Sequence, residues 1–126
     1  MLSSGKSATV TTKVTEKNTA KAVGSGSLDV FATPMMVALM EKAACECMAD
    51  GLAPGQTSVG TQINVAHTAA SPLGAEITAT AEIVAVDGRK VSFTVVAHDG
   101  SNEIGRGAHE RFIIDAERFM SKLEQR

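Results

Sequence analysis

Thr33-Pro34-Met35-Met36-Val37-Ala38-Leu39-Met40-Glu41-Lys42-Ala43-Ala44-Cys45-Glu46-Cys47-Met48-Ala49-Asp50-Gly51 reads as one long, mostly apolar helix. Thr33 offers a hydroxyl to cap the first turn, Pro34 suits a position whose N–H would be unpaired, and Gly51 marks the end. Met36, Leu39, Met40, Ala43, Ala44 and Cys47 repeat with helical spacing and share one side, which is therefore expected to be buried. Lys42 and Glu46 fall on the other side. Glu41 belongs to neither set. It lies at the flank of the apolar stripe, and positions 37, 38, 44 and 45 hold no cation one turn away. Two readings of Glu41 stand side by side: a boundary carboxylate reaching for water, or a carboxylate placed in a cleft for proton transfer or nucleophilic attack.

The rest of the chain wraps this helix. Ser7–Thr15 alternates Ala8, Val10, Thr12 and Val14 against polar residues, the period of a half-buried strand, and Thr19–Val23 reads as its extension. Gly24-Ser25-Gly26-Ser27 is a loop suited to an entrance or lid. After the helix, Thr57–Ala69 alternates with Val59, Thr61, Ile63, Val65 and His67 on one face, and Ala75–Val86 with Ile77, Ala79, Ala81, Ile83 and Ala85 on one face. Asp87-Gly88 and Asp99-Gly100 mark hairpins on either side of a strand carrying Val91, Phe93, Val95 and Ala97. A strand from Glu103 to Ile114 follows, and Asp115 is placed to cap a short helix presenting Phe119, Met120 and Leu123. Short turns force antiparallel neighbours, so a single apolar helix crosses the face of a five-stranded sheet. This is an α+β hot-dog fold, one domain over residues 1–126. An unpaired sheet edge in such a fold predicts a homodimer, with pairing into tetramers left open.

Composition narrows the function. A formal charge of −2, four Phe and neither Trp nor Tyr argue against a nucleic-acid surface. No window approaches the ~20 apolar residues of a membrane span, and the first 20 residues lack an apolar signal block, so a cytoplasmic location is expected. Cys45 and Cys47 are two apart on a helix, about 200° around its axis, where they neither bridge nor share a metal.

Taken singly, Thr33 is a helix cap, His67 a strand-end imidazole near a turn, and Gly60 a bulge or a place of close packing. Together a hydroxyl, a carboxylate two turns on and an in-phase imidazole supply an orienting group, a base or nucleophile and a proton carrier.

Four blocks carry a family resemblance: Phe31-Ala32-Thr33-Pro34 through Glu41, Val59-Gly60-Thr61 through His67-Thr68-Ala69-Ala70-Ser71-Pro72, Ala97-His98-Asp99-Gly100, and Gly105-Arg106-Gly107-Ala108-His109-Glu110-Arg111. From about Phe31 to the C-terminus the chain resembles the hot-dog thioesterases related to fluoroacetyl-CoA thioesterase. The steps of eight residues from Thr33 to Glu41 and 26 from Glu41 to His67 fit that family's Thr/Glu/His set. The resemblance implies hydrolysis of acyl-CoA thioesters at sites on a dimer interface. In it Glu41 is nucleophile or general base, His67 moves protons, and Thr33 orients Glu41 or the substrate. Gly60, Thr61, Phe31 and Arg111 would contact substrate. No metal is implied, and no cofactor beyond the coenzyme A of the substrate.

Members selective for fluoroacetyl-CoA carry bulky apolar and aromatic residues before the helix, where this chain has Gly24-Ser25-Gly26-Ser27, so the acyl group is left open. Arg89, Lys90, Arg106 and Arg111 are the cations considered for coenzyme A phosphates, whereas His109 and Glu110 read as strand-face polar residues. Two rivals share the fold: a non-catalytic acyl-CoA binding module, and an enoyl-thioester hydratase. The hydratase is disfavoured because Asp29 is followed at five residues by Pro34 rather than His.

Overall fold

The computed structural model describes all 126 residues. In chain order they form β1 (Ser7–Lys13), α1 (Ala20–Val23), α2 (Thr33–Met48), β2 (Gln56–His67), β3 (Glu76–Asp87), β4 (Lys90–Asp99), β5 (Asn102–Asp115) and α3 (Ala116–Glu124), with a 3₁₀ turn at Ala49–Gly51 closing α2. The five strands make one antiparallel sheet in the order β1-β3-β4-β5-β2, which leaves β1 and β2 as its edges.

Helix α2 buries the expected stripe of Met36, Leu39, Met40, Ala43, Ala44 and Cys47, together with Met48. Against it stand Ile77, Ala79, Ala81 and Ile83 of β3 and Val91, Phe93, Val95 and Ala97 of β4, none more than 1% exposed. Alanines on both surfaces let helix and sheet close, and each larger side chain buried there contributes roughly 1.5–3 kcal/mol. The Asp87-Gly88 and Asp99-Gly100 turns form as read, with Gly88 at φ 62° and Gly100 at φ 59°, backbone that favours glycine.

Five local expectations are corrected. Ala32, not Thr33, is the N-cap of α2, and no side chain caps that end. Thr19–Val23 is a helical turn rather than a strand: the Thr19 hydroxyl accepts from the Ala22 N–H and Gly24 closes it at φ 79°. In β2 the register slips between Gly60 and Gln62, so Thr61 is a bulge residue and Ser58 and Gly60, not Val59 and Thr61, share the helix-facing side with Ile63 and His67. A second slip between Ile83 and Ala85 ends the inward run of β3, and Ala85 is exposed. Asp115 makes no side-chain cap bond, and Phe119, Met120 and Leu123 of α3 face solvent.

The entry to α2 is clamped from both sides. Asn18 bonds to the Thr15 N–H and the Lys13 carbonyl through its side chain, and its own carbonyl receives the Ala32 N–H at 3.0 Å. On the other side the Phe31 N–H donates to the Ser71 carbonyl at 2.9 Å. Phe31 is 2% exposed, so the first turn of α2 is fixed against the end of β2.

Candidate active site

Thr33 leaves helix capping to backbone groups: the Ala32 carbonyl accepts the N–H of Met35 and of Met36, both at 3.0 Å. Its hydroxyl is thereby available elsewhere, and Oγ1 lies 2.8 Å from Nδ1 of His67, the last residue of β2. The pair sits on a cleft of about 270 Å³ whose walls include Ala20, Ser25, Val30 and Phe31. Burial holds the His67 pKa below its ordinary value, with the Ala69 backbone acting weakly the other way. His67 Nε2 is buried and has no hydrogen-bond partner in the chain.

Glu41 stands eight residues further along α2, about 12 Å along the axis. The cation missing from its own helix comes from β5: Arg111 Nη1 is 3.4 Å from Glu41 Oε2. Arg111 is 6% exposed, so its guanidinium is turned inward rather than toward solvent. Its Nε donates to Ser58 Oγ at 2.8 Å and its Nη2 to the Ser58 carbonyl at 3.1 Å. Nη1 also lies 3.2 Å from His109 Nε2. A guanidinium only donates, so His109 Nε2 accepts, and the proton sits on Nδ1, which donates to the Gln62 carbonyl at 2.8 Å. His109 is 2% exposed and stacks on Phe93 at 6.0 Å. Burial is the main cause that lowers its pKa, and the Arg111 charge adds to it while the Gln62 carbonyl opposes.

Gly60 closes this corner. A Cβ there would lie 2.8 Å from Glu41 Oε2 and 3.3 Å from both Arg111 Nη1 and His109 Cε1. Thr61, the bulge residue, donates its hydroxyl to the Glu110 carbonyl at 3.3 Å. The chain thus builds two clusters, Thr33 with His67 and Phe31, and Glu41 with Gly60, Arg111 and His109. No hydrogen bond joins Glu41 to Thr33 or His67 within one chain.

A model of the fluoroacetyl-CoA-specific thioesterase family matches residues 14–117. The chain belongs to that family. A fluoroacetyl-CoA thioesterase of Streptantibioticus cattleyicolor is 52% identical over 98 residues, 78% of this chain and 70% of that protein. The solved structure of the fluoroacetyl-CoA thioesterase FlK superposes with a TM-score of 0.93 at 42% identity, covering 100% of this chain and 98% of the other. A mutant of FlK in complex with fluoroacetate and CoA superposes at 0.88 with 43% identity, over 94% of this chain and 99% of that one. A hypothetical protein of Thermus thermophilus described as a thioesterase superfamily member has a TM-score of 0.91 at 24% identity, over 99% of this chain and 93% of that one, a likeness of fold.

Within this thioesterase, sequence reasoning missed Ser58 and His109. The signal for His109 was present: it stands two residues before Arg111 and four before Ile113, in one phase of β5, and the structure buries all three. An imidazole and a guanidinium in phase with a core Ile belong to the inner face of a strand.

Proposed function

We propose that this thioesterase hydrolyses acyl-CoA thioesters at two equivalent sites, each completed across a homodimer by Thr33 and His67 of one subunit and Glu41 of the other. One observation carries the reading: within one chain no hydrogen bond joins Glu41 to Thr33 or His67, and β2, which carries both Gly60 and His67, is a 12-residue sheet edge. Antiparallel pairing of two β2 edges about a two-fold axis at Asn64, with the Thr61 bulge absorbing one residue, sets His67 opposite Gly60 of the partner subunit, and so beside Glu41 of the partner subunit. That arrangement would also give the buried His67 Nε2 a polar surrounding.

In such a site the Glu41 carboxylate either attacks the thioester carbonyl, expelling the thiolate and forming an anhydride that water then cleaves to release the acid, or takes a proton from the water that attacks the carbonyl directly. Gly60 lets the substrate carbonyl approach the backbone, where an N–H stabilises the developing oxyanion. His67, neutral at rest, receives the proton that the attacking water loses, directly or by way of Glu41, and passes it to the departing thiolate sulfur, while Thr33 fixes the imidazole through Nδ1. A thioester has an electrophilic carbonyl and a good leaving group, so these groups suffice without a metal or a cofactor beyond the coenzyme A of the substrate. The CoA and fluoroacetate bound to the FlK mutant support a CoA thioester as substrate. The Ala20, Ser25 and Val30 walls beside Thr33 and His67 are small side chains without a bulky aromatic lid, which leaves the acyl group open and gives no basis for selecting fluorine.

The test is thiol release from short, aromatic and long acyl-CoAs by wild type, Glu41→Ala and His67→Ala. Turnover of one acyl class and a loss of about 100-fold or more in kcat for each variant support the assignment. Folded variants that match wild type refute it.

A further inference from the structure

We infer that His109 is a positioning residue for Glu41, acting through Arg111. The inference rests on the catalytic reading of Glu41 and goes beyond it. Arg111 Nη1 is the only guanidinium nitrogen directed at Glu41, and it is shared between Glu41 Oε2 at 3.4 Å and His109 Nε2 at 3.2 Å. The other two nitrogens are spent on Ser58. The orientation of Nη1 therefore depends on an acceptor at His109 Nε2. The β2 bulge secures that acceptor, because the Gln62 carbonyl takes the Nδ1 proton and leaves a lone pair on Nε2. Phe93 holds the ring plane from β4.

A proton on Nε2 would reverse the arrangement. Two donors and two positive charges would then face each other, Arg111 would turn away, and Glu41 would lose its cation. The charged groups around the imidazole are Arg111 and Glu110 of β5 and Glu41 of α2, while β2 and β4 present Gln62 and Phe93, which do not titrate. Arg111 opposes protonation and the two carboxylates favour it, so burial decides for the neutral ring.

The experiment compares His109→Gln, whose amide offers an acceptor to Arg111 and an N–H to Gln62, with His109→Leu, which offers neither, alongside Glu41→Ala and wild type. Thiol release from a short acyl-CoA is followed against pH. His109→Leu is expected to lose about 10-fold or more in kcat with KM within about 3-fold, and His109→Gln to stay within about 3-fold of wild type. The acid limb of kcat should be shallower in His109→Gln than in wild type, because one protonation has been removed. Nitrogen-15 NMR of wild-type histidines should show the proton of His109 on Nδ1, a readout that holds even if His109→Leu does not fold. A proton on Nε2, wild-type kcat in folded His109→Leu beside an inactive Glu41→Ala, or equal losses in the Leu and Gln variants would each overturn the inference. Full activity of Glu41→Ala would instead remove the reading of Glu41 on which it rests.

Discussion

Thr33 Oγ1 and His67 Nδ1 are 2.8 Å apart, a contact between the first residue of α2 and the last residue of β2 across 34 positions of sequence. The Asn18 and Ser71 clamps on the entry to α2 hold the two ends together. The hydroxyl orients an imidazole instead of capping a helix, and that choice separates stability from activity at this position.

Replacing Thr33 with Ala loses the hydrogen bond to His67 and no capping bond, so its cost of about 0.5–1 kcal/mol should vanish in a His67→Ala background. A true Thr cap would cost about 1 kcal/mol in either background. Activity should fall about 10-fold or more, with Thr33→Ser close to wild type. Denaturant titrations beside kinetics check both halves. A variant destabilised by a full cap but catalytically intact would reverse the assignment.

At Gly60 the expected effect is steric and local. The added methyl of Gly60→Ala would sit 2.8 Å from Glu41 Oε2, with Arg111 and His109 close behind, so the carboxylate must move. Rate losses of more than about 10-fold are expected with little change in KM, because a displacement near 1 Å at a reacting group costs on that scale. Wild-type kcat in this variant would show that Glu41 works from another position.

Stability should fall in mild acid. Both His67 and His109 have folded-state pKa values below the ordinary histidine value near 6.5. As pH drops below about 6.5 the unfolded chain binds these protons before the native one does, so stability decreases until the native values are passed and then levels off. Urea midpoints at pH 8, 6.5 and 5 should descend in that order, and His109→Gln should show a smaller drop. Midpoints that rise toward pH 5 would contradict the buried neutral histidines.

Periodicity made the scaffold legible. The stripe from Met36 to Cys47, the alternation of Val91 to Ala97 and the two Asp-Gly turns give helix, strands and hairpins from local rules, and all stand in the structure. The bulge at Thr61 is hidden because Val59, Thr61 and Ile63 keep the alternation, and the one at Val84 because Ile83-Val84-Ala85-Val86 is apolar throughout and marks neither face; only pairing with β5 and β4 reveals the extra residue. The site was half visible for a related reason. Thr33, Glu41 and His67 are marked by residue type and phase, but Arg111 meets Glu41 across 70 positions, a distance no helical or strand period spans. Local rules assign Thr33 to a cap because they know only local partners.

The central claim, that Glu41 works with His67 of the partner subunit, is tested most directly by mixing Glu41→Ala and His67→Ala chains, unfolding and refolding them together, and measuring thiol release. With shared sites, each mixed dimer keeps one intact site and loses the other, so an equal mixture recovers about a quarter of wild-type activity per chain. Activity no higher than that of the separate variants would place Glu41 and His67 in the same chain's site and contradict the account.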